Sequence, residues 1–155
     1  MLTVKLMDME KRIQSDLVAA MKAKDSVRLA SVRAIKTAIT VAKTAPGAPS
    51  ELTDGDIQKI IQKLVKQRKD SADQYIAAGR QELADNEIAE MEVMNEYLPK
   101  QLTEDEITVE VKKVIVETGA STMKDMGKVM GIINKRFVGQ VDGKVVSIIV
   151  KNALS

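Results

Sequence analysis

Apolar residues recur along almost the whole chain at intervals of three and four, the spacing that gathers them on one side of an α-helix. Leu6, Met9, Ile13, Leu17 and Ala20 mark a first helix ending near Lys24. Asp25 is placed to cap a second, with Val32, Ile35, Ile39 and Ala42 on its inner face. The run Ala45-Pro46-Gly47-Ala48-Pro49-Ser50 breaks the pattern. Thr53, three residues before Asp56, then opens a third helix in the manner of a capping box. Its stripe is Ile57, Ile60, Ile61, Leu64, Val65, Arg68, Ala72, Tyr75 and Ile76, and Gly79 closes it. A fourth helix carries Ala84, Ile88, Met91, Met94 and Leu98 and stops at Pro99.

The segment Leu98-Pro99-Lys100-Gln101-Leu102 is the best boundary in the chain. Thr103 and Glu106 form a second capping box, with Ile107, Val111, Val114 and Ile115 inward and Gly119 as the stop. Thr122 and Asp125 start the next helix, which is expected to bury Met126, Met130, Ile133 and Phe137. Asp142 caps a last one through Val145, Val146, Ile149 and Ala153. The β-branched run Val145–Val150 reads locally as a strand. A lone strand leaves its backbone groups unpaired in a chain that is helical elsewhere, so helix is expected. The pattern therefore predicts an all-α protein, with about four helices over 1–98 and a small three-helix unit over 99–155.

Composition narrows the chemistry. The 155 residues contain neither His nor Cys, which removes the usual zinc ligands, the imidazole base and the thiol nucleophile. Carboxylates or lysine can still support catalysis, but no catalytic residue, metal site or cofactor is expected. No apolar run approaches the roughly 20 residues needed to cross a bilayer, so no membrane partner is expected. Asp8 and Glu10 stand where a secretory signal would be apolar, and a cytoplasmic protein is expected. Charge is uneven: residues 1–79 carry 14 Lys/Arg against 9 Asp/Glu, 80–118 carry 4 against 11, and 119–155 carry 6 against 2. Basic ends flank an acidic middle, a modest invitation to polyanions.

Several candidate sites yield to plainer readings. Gly139, Gly143 and Lys144 superficially suggest a phosphate loop, but the glycines are too close and Val145 replaces the required Ser or Thr. Glu82, Asp85, Glu87, Glu90, Glu92 and Glu96 form a solvated acidic face rather than a di-metal helix, which would pair Glu with His. Arg68 falls on an apolar stripe and is expected to pair with a carboxylate, with an anion contact as the alternative. Tyr75 and Tyr97 lie at inward positions. With one Phe and no Trp, the chain lacks the stacking surface of single-strand RNA readers, so any RNA contact is to backbone and shape.

The segment from Thr122 to Lys144 is the exception. A glycine in a helix interior costs about 1 kcal/mol relative to alanine, yet Gly127 and Gly131 sit four apart on one face. Lys124, Lys128 and Lys135 share that face, with Arg136 and Lys144 nearby. Small residues among lysines suit either a crossing helix or a phosphate backbone. Spacing leaves both open.

Specific motifs support a resemblance covering essentially the whole chain. Gln67-Arg68-Lys69-Asp70-Ser71, Ala78-Gly79-Arg80, Glu90, Tyr97–Leu102, Asp125–Gly131 and the ending Gly139-x-x-Asp142-Gly143-Lys144-x-Val146 together resemble the YqeY family. Such proteins look like free-standing versions of the tail of GatB, a subunit of the bacterial tRNA-dependent amidotransferase, a carbon–nitrogen ligase that takes its nitrogen from glutamine. A similar module precedes the catalytic core in some glutaminyl-tRNA synthetases. The resemblance implies a non-catalytic module associated with tRNA, in which Lys124, Gly127, Lys128, Gly131, Lys135, Arg136 and Lys144 form the RNA-binding set. An adaptor docking on a synthetase or amidotransferase is the alternative. Relatives often carry basic residues beside the glycine before the last helix, whereas Val138 and Gln140 flank Gly139 here.

Overall fold

The structure is a computed structural model that describes residues 8–49 and 51–155. Among these residues it contains seven α-helices and no strand, so the all-α reading holds. The chain divides into two compact units, Met1–Leu98 and Pro99–Ser155.

The first unit comprises α1 (Met9–Ala23), α2 (Ser26–Thr44), α3 (Asp54–Ala77) and α4 (Gln81–Asn95). Leu6, expected on α1, lies outside the described residues. Lys24 ends α1 in the left-handed region at φ 56°, and one residue later the Asp25 carboxylate accepts from the Arg28 N–H at 3.1 Å to begin α2. Two helices are thus joined by little more than one turn of chain. The Thr53 and Asp56 box forms reciprocally, at 3.1 and 3.0 Å. Ile13, Val32, Ile35, Ile39, Ile57, Ile61 and Met94 fill the core, joined by Tyr97 from just beyond α4. Tyr75 and Ala42 are only half-buried, Ile76 is exposed, and Val93 is buried although the pattern passed over it. Ala72 and Ala84 are buried near the turn at Gly79, where small side chains let α3 and α4 come together.

The second unit comprises α5 (Glu104–Thr118), a single 3-10 turn (Met123–Asp125), α6 (Met126–Arg136) and α7 (Gly143–Leu154). Its core is dominated by β-branched residues: Ile107, Val111, Val114, Val129, Ile133, Val146 and Val150. Two details depart from the periodicity reading. On α6 the deepest residues are Val129 and Ile133, with Met126, Met130 and Phe137 only partly covered. On α7 they are Val146, Val150 and Leu154, spaced by four, whereas Ala153 is exposed. The β-branched run is helical because its apolar side chains meet α5 and α6, packing that outweighs its local preference.

Between α6 and α7 the chain turns at Gly139, which is buried and held at φ 77°, a conformation that favours glycine. The Gly139 carbonyl accepts from Gln101 Nε2 at 2.6 Å, and the Gln140 carbonyl accepts from the Leu102 N–H at 2.9 Å. Gln140 Nε2 donates in turn to the Lys100 carbonyl at 3.1 Å. Gln140, the polar residue beside Gly139, thus helps Gln101 and Leu102 to stitch the turn to the start of the unit.

Candidate nucleic-acid interface

The local chain geometry sets what α6 can present. Gly119 closes α5 at φ 70°, and the Asp125 carboxylate accepts from the N–H groups of Ser121 and Thr122 at 3.0 and 3.3 Å. Those two donors, with the charge of Lys128 beside them, hold the Asp125 carboxyl below the usual range. They also wind Met123–Asp125 into a 3-10 turn, so Lys124 sits on that turn and not on the α-helix where the spacing placed it. Gly127, Lys128, Gly131 and Lys135 follow on α6 itself, and all four are exposed, as is Lys124.

Both glycines face open space. A Cβ added at Gly127 or at Gly131 would meet nothing within 4 Å. Neither therefore serves as a packing notch among the described residues. Lys144, just after the Gly139 turn, is exposed at the start of α7, where its N–H donates to Asp142 Oδ1 at 2.8 Å.

Arg136 stands apart from the lysines. One residue beyond Lys135, it is turned about 100° around the helix axis. Its two terminal nitrogens engage Glu117 on α5 at 3.2 and 2.7 Å, fork to fork. The guanidinium keeps the Glu117 carboxyl low, with Lys113 adding a smaller effect. Glu117 was absent from the sequence reading because α5 and α6 are brought together only by folding.

Two further features belong to this inventory. Arg68 does pair with a carboxylate, Glu90, at 3.5 Å, with each side chain about four-fifths covered. Its Nε is buried without a partner. The acidic face of α4 is mostly exposed, but it is not uniformly solvated: Glu90 serves Arg68, and Glu96 just beyond the helix receives Arg28 at 3.0 Å through both oxygens. On the outer face of α5, Val109 and Val116 are 51% and 82% exposed, with Lys112 and Lys113 between them. Their spacing of seven, off the Ile107–Val111–Val114 stripe, was the available signal.

The arrangement defines a class: a wholly helical protein carrying a bare, lysine-flanked helix face, with no cluster of three or more His, Cys, Asp or Glu fit to hold a metal among the described residues. The chain belongs to the YqeY-like protein family, whose model matches residues 10–154. It is similar to proteins named "Altered inheritance of mitochondria protein 41, mitochondrial". The relative from Pyrenophora tritici-repentis is 31% identical over 88% of this chain and 75% of its own length. Those from Lachancea thermotolerans and Saccharomyces cerevisiae are 28% and 27% identical, over 72% and 85% of this chain and 60% and 69% of theirs. These names correct the expectation of a cytoplasmic protein: the curated relatives are mitochondrial ones. Asp8 and Glu10 bear only on a secretory signal, which is a different address from a mitochondrial one.

Proposed function

We propose that this protein is a non-catalytic helical module that associates with tRNA through the outer face of its second unit. Lys124, Lys128 and Lys135 contact phosphates, Lys144 adds a fourth cation from α7, and Gly127 and Gly131 let the strand come close to the helix backbone. The single observation that supports this reading is the open space above both glycines. A helix that accepts roughly 1 kcal/mol of propensity loss at Gly131, and a smaller loss at Gly127 in its first turn, has that cost explained by an approaching backbone. The supporting electrostatics are simple, since each lysine neutralising a phosphate releases counterions and gives binding a salt dependence.

The test is tRNA binding across a salt series. Wild type is expected to bind at low salt, and K124A/K128A to flatten the log–log salt slope by up to about two units. No tRNA binding at low salt would sink the reading. The exposed Val109 and Val116 favour a second reading, docking on a synthetase or amidotransferase. It is supported if such a partner is retained after nuclease treatment while tRNA itself is ignored.

A further inference from the structure

We infer that Glu117 governs whether Arg136 takes part in RNA binding: its carboxylate occupies the guanidinium fork that a phosphate would otherwise fill. The inference rests on the tRNA reading above and goes one step further, to the residue that sets the strength of that face.

Three observations carry it. First, the contact is bidentate, Nη1 to Oε1 at 3.2 Å and Nη2 to Oε2 at 2.7 Å. A planar guanidinium matches a carboxylate and a phosphate with the same two-pronged geometry, so the two anions compete for one donor set. Second, the pair is accessible, with side-chain exposures of 46% and 48%. Pairs of that exposure are held weakly, so a polyanion that brings many phosphates can displace the carboxylate. Third, the pair aims Arg136 at α5 while Lys128 and Lys135 lie on the open face of α6. Release leaves a long, flexible side chain free to swing toward a strand lying across the glycines.

The alternative account of this ion pair is a stability clip between α5 and α6. The two differ in what happens when each partner is removed separately and together. The experiment is a four-protein cycle, wild type, E117Q, R136A and E117Q/R136A, each titrated with the same tRNA at several salt concentrations and each melted to verify folding. With Arg136 engaged by Glu117, R136A is expected to bind within about twofold of wild type. E117Q is expected to bind three- to fivefold more tightly, a gain of the size that an exposed ion pair withholds. Its salt slope steepens by about 0.9, the value for one additional phosphate contact. The double variant falls back to the R136A level, and E117A, which removes the acceptor altogether, repeats the E117Q gain.

A gain that persists in the double variant would assign the effect to long-range charge and overturn the inference. So would E117Q binding like wild type, or R136A alone losing most of the affinity. In those cases wild-type binding survives and the tRNA reading stands. If wild type binds no tRNA, that reading falls and this one with it.

Discussion

At the scale of the residue, three glycines of the segment from Thr122 to Lys144 do different work. Gly127 and Gly131 are helical and uncrowded, so nothing in the folded unit requires them. Replacing Gly131 with alanine should stabilise the protein by about 1 kcal/mol, and Gly127, in the first turn of α6, by less, read as a rise in the urea midpoint, because alanine restores helix propensity and meets no neighbour. Gly139 is the opposite case. Its φ of 77° penalises any side chain, so G139A should destabilise by about 1–2 kcal/mol in the same assay. If G127A and G131A destabilised instead, the open face described here would be wrong. A periodicity argument ranks the first two together as oddities but gives no sign of which face is covered; that depends on neighbours distant in sequence.

Among elements, the pairing of α3 with α4 turns on Arg68 and Glu90. The sequence stripe exposed Arg68 as an anomaly, a charge in an apolar row, and the helical spacing of the surrounding acids supplied candidate partners. Which acid it met was settled by the turn at Gly79, which folds α4 back so that Glu90 lies beside α3. Removing one partner strands the other in a mostly covered site, and E90A should cost about 3 kcal/mol by chemical denaturation. R68M/E90L, which replaces both charges with apolar side chains, should cost far less, since neither a lone charge nor the unpartnered Nε is left behind. Equal losses from E90A and the double variant would show that the stranded charge is not what costs stability. The α7 helix teaches a related lesson. Its β-branched residues lean locally toward strand, and only a face spaced by four against α5 and α6 makes them a helix.

For the molecule as a whole, titration brackets stability from both sides. Glu96, held low chiefly by its hydrogen bonds to Arg28, and Glu106, held low chiefly by the Thr103 N–H, prefer the ionised form when folded. Asp56 behaves likewise through Thr53. A carboxyl with a depressed folded pKa contributes stability that is present above its unfolded pKa and is lost as pH falls through the folded one. Stability should therefore decline below roughly pH 4, where ordinary carboxylates begin to protonate. Tyr97 works in the other direction. Burial, and then its hydrogen bond to Asp16 at 2.5 Å, push the phenol upward, so its contribution is intact below the ordinary tyrosine value and is lost as pH rises beyond about 10. Thermal melts across pH should show a plateau between those limits, and Y97F should remove part of the alkaline fall. An unchanged alkaline limb in Y97F would exclude Tyr97 as its source.

Taken alone, the sequence determined the helices, their caps and the absence of imidazole and thiol chemistry, because these follow from residue type and from spacings of three and four. It also contained the family's motifs. Tertiary structure decided what lies over each face: that Gly127 and Gly131 are bare, that Val129 is fully buried beside Ile133 on α6 while Met126 is only partly covered, and that Arg136 is already held by Glu117. Helical period assigns a residue to a side of its own helix. Only the packing of α5, α6 and α7 against one another determines whether that side meets protein or solvent, and so whether a lysine-flanked glycine is a notch or a landing surface.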